Sequence, residues 1–260
     1  MLEAHPVLLG ALGSLLAGSM TSVGALPVFA RKEISTRLQD ALLGFAAGVM
    51  LAASFFSLII PGLDAAEALY GSPLIAASIA VLGLVIGVAA IAWINEHVPH
   101  EHFLLGAEGP DTAALRKIWL FVIAITIHNF PEGLAVGIGF GSGDLSNGVS
   151  LATGIGLQNA PEGLAVAVAL ASQGYSRMHA FLIASATGAV EPVGGLLGAG
   201  AVYFSEPLLP WGLAFAAGAM LYVISHEIIP ETHSRGNQNQ ATTGLVIGLV
   251  AMMFLDVTLG

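Results

Sequence analysis

Apolar stretches of about 20 residues, the length an α-helix needs to cross roughly 30 Å of hydrocarbon, recur along this chain between short polar breaks. Eight can be distinguished, at residues 6–29, 40–63, 73–95, 118–140, 149–172, 179–204, 208–229 and 242–258. A segment surrounded by lipid must satisfy its own backbone, so each stretch is predicted to be a helix. The expected fold is all-α: a polytopic membrane protein whose eight transmembrane helices form a helical bundle, one transmembrane domain over residues 1–260. The first stretch is read as a true span, because a cleaved signal would want a basic start and a shorter apolar core.

Composition agrees with the pattern. Of 260 residues 56% are hydrophobic and 9% charged, and the mean hydropathy is +0.85, far from a soluble domain. With no cysteine, any metal chemistry must use nitrogen, oxygen or thioether ligands. Seven basic residues are too few for a nucleic-acid footprint.

The placement of those residues is informative. Arg31, Lys32, Arg37, Arg116, Lys117, Arg177 and Arg235 all fall in the breaks after spans 1, 3, 5 and 7. The positive-inside rule puts these breaks in the cytoplasm and both termini on the opposite side. That opposite side carries Asp64, Glu67, Asp144 and Glu206, which mark either a mouth that gathers cations or plain solvated loops. The break from 96 to 117 holds Glu96, His97, His100, Glu101 and His102: a transient stop for metal near the exit, or a solvated loop, since His-rich tracts are only compositional signals.

The chemistry lies in the middle of spans 4 and 5. His128-Asn129-Phe130-Pro131-Glu132-Gly133-Leu134-Ala135-Val136 is echoed by Gln158-Asn159-Ala160-Pro161-Glu162-Gly163-Leu164-Ala165-Val166, with seven of nine positions identical. Ionisable groups at membrane depth are expensive and mark function. At about 100° per residue, Glu132 falls between His128 and Asn129 and one turn along, so it can reach a metal held by either. Glu162 stands in the same relation to Gln158 and Asn159. Two such helices face to face suggest a binuclear centre with bridging carboxylates. Pro131 and Pro161 free the carbonyls of Ile127 and Leu157 as further oxygen ligands or water anchors. Glu191, followed by Pro192 in span 6, and Met50 in span 2 add a carboxylate and a soft sulfur. Ser54 and Ser57 lead from Met50 toward Asp64 as an inlet, and His226 and Glu227 lie near the cytoplasmic end of span 7.

The doubled motif, the eight spans and the His-bearing break together resemble the ZIP (Zrt-, Irt-like protein) transporters, with the bacterial GufA-like branch the nearest in look. The resemblance implies a binuclear site between spans 4 and 5, a homodimer, and a bacterial inner membrane location. It implies one site from Met50, His128, Glu132, Gln158 and Glu162, and a second from Asn129, Glu132, Asn159, Glu162 and Glu191. Asn159 departs from the aspartate that some relatives place there, which removes one negative charge from the second site.

A set mixing imidazole, carboxylate, amide and thioether suits Zn, Cd, Fe, Mn or Co. The expected function is transport of divalent transition-metal ions, zinc first, into the cytoplasm, with metal as cargo and no cofactor. Three glutamates together couple metal binding to proton release, so transport is expected to depend on pH. The alternatives are a metal-selective channel and a zinc-dependent intramembrane hydrolase. A zinc protease reading of His226-Glu227 fails because Pro230 stands where His-Glu-x-x-His needs its second histidine.

Overall fold

The structure is a computed structural model that describes residues 5–30, 34–97, 100–102, 106–108, 117–172 and 174–259, with backbone alone for 100–102, 106–108, 117–121 and 124. Among these residues the chain forms eight long helices. They are α1 (Pro6–Phe29), α2 (Thr36–Tyr70), α3 (Pro73–His97), α4 (Lys117–Gly141), α5 (Leu145–Ser172), α6 (Arg177–Phe204), α7 (Leu208–His233) and α8 (Gln238–Leu259). A short antiparallel hairpin, β1 (His100–His102) with β2 (Gly106–Glu108), precedes α4.

Six of the helices, all but α4 and α5, are long and apolar enough to cross a membrane. The other two run 25 and 28 residues and carry the doubled polar motif. Most helices extend past the bounds expected from hydropathy, because caps and buried ion pairs, which a hydropathy window ignores, carry the helical turn outward. Ser35 accepts a hydrogen bond from the Leu38 amide and so starts α2 four residues before Asp40. Asp40 is then fully buried inside the helix. Arg235, on the turn between α7 and α8, lies 3.5 Å from Asp40 and donates to Gln39 and Glu231, and Asn237 donates to Asp40.

The prolines shape three of the helices. A proline lacks an amide hydrogen, and the preceding turn widens to absorb the missing bond. In α2 the turn before and around Pro61 is a π-helix, Ala53–Ile59, and in α7 the turn before Pro230 is another, Ile224–Ile228. Helix α6 is interrupted between Gly188 and Glu191, where Pro192 occupies its second start and Glu191 opens that half.

The helices sort into two groups by how they pack. In the first, α4 lies along α6 and α1 along α5; in the second, α2 lies along α8 and α3 along α7. Inside each group the backbones touch. A Cβ at Gly133 would fall 2.1 Å from the Glu191 carbonyl oxygen, and one at Gly163 would fall 2.0 Å from that of Thr21. In the second group Gly248 meets the Phe45 carbonyl and Gly218 that of Leu84 in the same way. Between the groups, where α5 faces α2 and α8 and α4 faces α7, the described glycines meet side-chain tips instead: Gly154 the sulfur of Met252, and Gly212 the end of Ile138. One large apolar cluster spans this boundary, with Met50 and Met220 from one group beside Ala135, Val136 and Ile155 from the other.

Candidate metal centre

The doubled motif places six polar side chains on two helices that pack against one another, and all six are buried: His128, Asn129 and Glu132 on α4; Gln158, Asn159 and Glu162 on α5. The repeat does this because equal spacing around a proline gives equal helical phase, so both polar faces arrive at one level. Glu191 joins them from the break in α6 and is also fully buried.

Four contacts organise the group. Gln158 Nε2 donates to Glu132 Oε1 at 2.6 Å. Asn159 Nδ2 donates to Glu191 Oε1 at 2.8 Å and to the Ala17 carbonyl oxygen on α1 at 2.9 Å. His128 Nε2 lies against Glu227 Oε2 of the π-helical turn in α7.

The remaining lone pairs point to a guest. Both oxygens of Glu162, Oε2 of Glu132 and of Glu191, and the amide oxygens of Asn129, Gln158 and Asn159 are buried without a hydrogen-bond partner. Each such atom costs about 1–3 kcal/mol when left unsatisfied, so this many acceptors in one place fits a cation or its water. Among the described residues no three of His, Asp and Glu stand at a spacing that alone would hold a metal: two of the carboxylates are spoken for by amides, and His128 by Glu227.

Met50 is buried in the apolar cluster at the group boundary, with its carbonyl accepting from Ser54. Of the residues expected to line an inlet or an exit, Glu227 touches His128 and the others make contacts elsewhere. Ser57 donates to Asp256 on α8 at 2.6 Å. Asp64 lines a cavity of about 350 Å³ with Asp144 and Asn147, at the end of the bundle away from Arg177 and Arg235. At the other end His226 stacks on Tyr222 with ring centroids 4.8 Å apart, and Tyr222 accepts from the buried Asn95. His97 is exposed and stacks on Trp93. The side chains of His100 and His102 lie outside the described residues.

The sequence reading did not single out three groups that the structure brings into these contacts. Asp256 had a visible signal, an acid inside an apolar span. Glu227, expected near the exit, also faces His128 directly. Asp40 and the Ala17 carbonyl had no local signal, since each acts through a partner far along the chain.

Comparison with known proteins bears on this centre. The family model of the ZIP zinc transporters matches residues 95–256, which include the whole of the doubled motif. The chain is 47% identical over 249 residues to the zinc transporter ZIPB of Bordetella bronchiseptica, covering 96% of this chain and 81% of that protein. It is 47% identical over 252 residues to the zinc transporter GufA of Myxococcus xanthus, covering 96% and 99%. To the zinc transporter ZIP11 of Homo sapiens it is 34% identical over 345 residues, covering 100% of each.

Proposed function

Because the chain belongs to the ZIP family, a family of metal transporters and not of enzymes, we propose that it carries zinc into the cytoplasm through the centre between α4 and α5. The observation that supports this most directly is the set of buried, unsatisfied oxygen acceptors around Glu132 and Glu162. The centre has two halves that share these glutamates. One half adds His128, Gln158 and Met50; the other adds Asn129, Asn159 and Glu191. The first half, with its imidazole and thioether, selects zinc, cadmium and their neighbours over magnesium and calcium.

On this reading α4 and α5 cross the membrane as well, giving eight spans. Their polar faces are turned to α1, α6 and α7 and not to lipid, which is where polar membrane residues are tolerated. The basic breaks face the cytoplasm of a bacterial cell, both termini lie outside, and the protein is a homodimer. Zinc enters past Asp64 and Ser57 and leaves past Glu227 and His226, toward the cluster of His97, His100 and His102. The two helix groups supply the motion. Backbone contacts lock each group, side-chain tips meet at the boundary, the centre sits in the first group, Glu227 reaches it from the second, and Met50 lies in the apolar cluster at the boundary. Sliding one group on the other would carry zinc across, as in an elevator.

The test is zinc uptake into metal-free proteoliposomes loaded with a fluorescent zinc indicator. The wild-type chain is expected to take up zinc saturably, and His128→Ala and Glu162→Ala, inserted equally well, are expected not to. Equal uptake by all three would remove the centre from the pathway, and flux that rises without saturation would make the protein a channel.

A further inference from the structure

Asn159 carries an inference that rests on the zinc-centre reading above and sharpens it. Its Nδ2 is 2.9 Å from the Ala17 carbonyl oxygen and 2.8 Å from Glu191 Oε1. A backbone carbonyl only accepts, so the atom facing it must bear hydrogen, and the orientation of this amide is fixed by chemistry. Both of its N–H bonds are therefore committed, one to α1 and one to Glu191. An aspartate in this place would set an oxygen against each of these acceptors.

A cation on this half would lie beside the Asn159 N–H groups, the positive ends of their dipoles. The two halves also differ in chemistry. The Asn159 half offers oxygen alone, whereas the His128 half offers nitrogen and sulfur as well, the better match for zinc.

We propose that this chain binds one divalent transition-metal ion at a time, on the His128, Gln158 and Met50 side, and that the Asn159–Glu191 hydrogen bond stands in place of a second ion. Asn159 is thereby the residue that sets the stoichiometry of the centre.

The experiment counts zinc on the purified full chain after equilibrium dialysis against buffered free zinc. The double variant Glu132→Ala, Glu162→Ala, which removes both shared ligands, gives the background from other histidines. Wild type is expected to hold about one zinc ion above this background and folded Asn159→Asp about two. A wild-type count of two leaves the centre standing and overturns the proposal. A count equal to the background overturns the centre itself, and the proposal with it. A folded Asn159→Asp chain that still holds one ion shows that residue 159 does not set the number. Manganese(II) electron paramagnetic resonance on wild type decides the same point without any variant: an isolated-ion spectrum is expected, and the exchange coupling of two carboxylate-bridged ions would refute it.

Discussion

A polar side chain at the centre can be partnered by a cation or by a neighbour, and for three of them the structure shows the neighbour. Glu132 is held by Gln158, Glu191 by Asn159 and His128 by Glu227, so a zinc ion bound on the His128 side as proposed would displace or share the first and last of these contacts. Met50 differs in that its thioether has no such bond to surrender. Exchange of Met50 for leucine conserves volume, which limits the stability loss to about 1.5 kcal/mol. It removes the one soft donor of the proposed ligand set, so Met50→Leu is expected to weaken cadmium transport roughly tenfold more than manganese transport. Competition uptake of the two ions in one vesicle preparation measures this, and an unchanged ratio would place the sulfur outside the ligand set. Most of the centre could be read from the sequence, because His128 to Glu132 and Gln158 to Glu162 repeat one spacing, and helical geometry converts spacing into a shared face. What could not be read is which neighbour each of these groups bonds. The Asn159 bond to Ala17 joins residues 142 apart in sequence, and no local pattern announces it.

At the scale of elements, prolines and buried charges decide what hydropathy alone does not. The apolar pattern located every helix, but the π-helical turns in α2 and α7 come from Pro61 and Pro230, each preceded by two isoleucines. That shared Ile-Ile-Pro is short, and only the structure gives it meaning by putting Ser57 on one widened turn and Glu227 on the other. The junction of α2 with the α7–α8 turn rests on Asp40, which is fully buried beside Arg235 and Asn237. Removing the cation leaves a buried carboxylate with its main partner gone. Arg235→Ala is therefore expected to destabilise the chain by about 3–5 kcal/mol, seen as a lowered thermal midpoint in detergent. Arg235→Ala with Asp40→Asn should recover much of the loss, because the charge that needs a partner is gone. If the double variant melts no higher than the single one, the ion pair is not what holds this junction. Gly133 tests the other kind of junction. An alanine there meets the Glu191 carbonyl at 2.1 Å, so α4 and α6 must separate. A stability loss of about 1–3 kcal/mol and disturbed zinc binding are expected together, since Glu132 and Glu191 flank the contact.

At the scale of the whole molecule, the arrangement of close contacts separates two bodies. Packed glycines hold backbones together within each group, and such contacts cannot slide without lifting one helix over another. The boundary is furnished differently, with the flexible side chain of Met252 against Gly154 and the tip of Ile138 against Gly212. These contacts can be exchanged for others at little cost, so motion of the groups as units along the boundary is the least hindered large displacement open to the fold. The chain has no cysteine, which gives a clean background for testing this. A Cβ at Gly212 would lie 3.1 Å from Ile138 Cδ1 and 3.6 Å from its Cγ1, so cysteines at 138 and 212 fall near the separation a disulfide bridges. Oxidised Ile138→Cys, Gly212→Cys protein is expected to lose zinc uptake and to regain it on reduction, while zinc binding to the detergent-solubilised chain persists in both states. Persistent binding is the informative half, because it separates a carrier that is locked from a centre that is broken. If the cross-linked protein carries zinc at the reduced rate, α4 and α7 keep their relation throughout the cycle, and the ion crosses by local rearrangement of His128, Glu162 and Glu227 and not by movement of the groups.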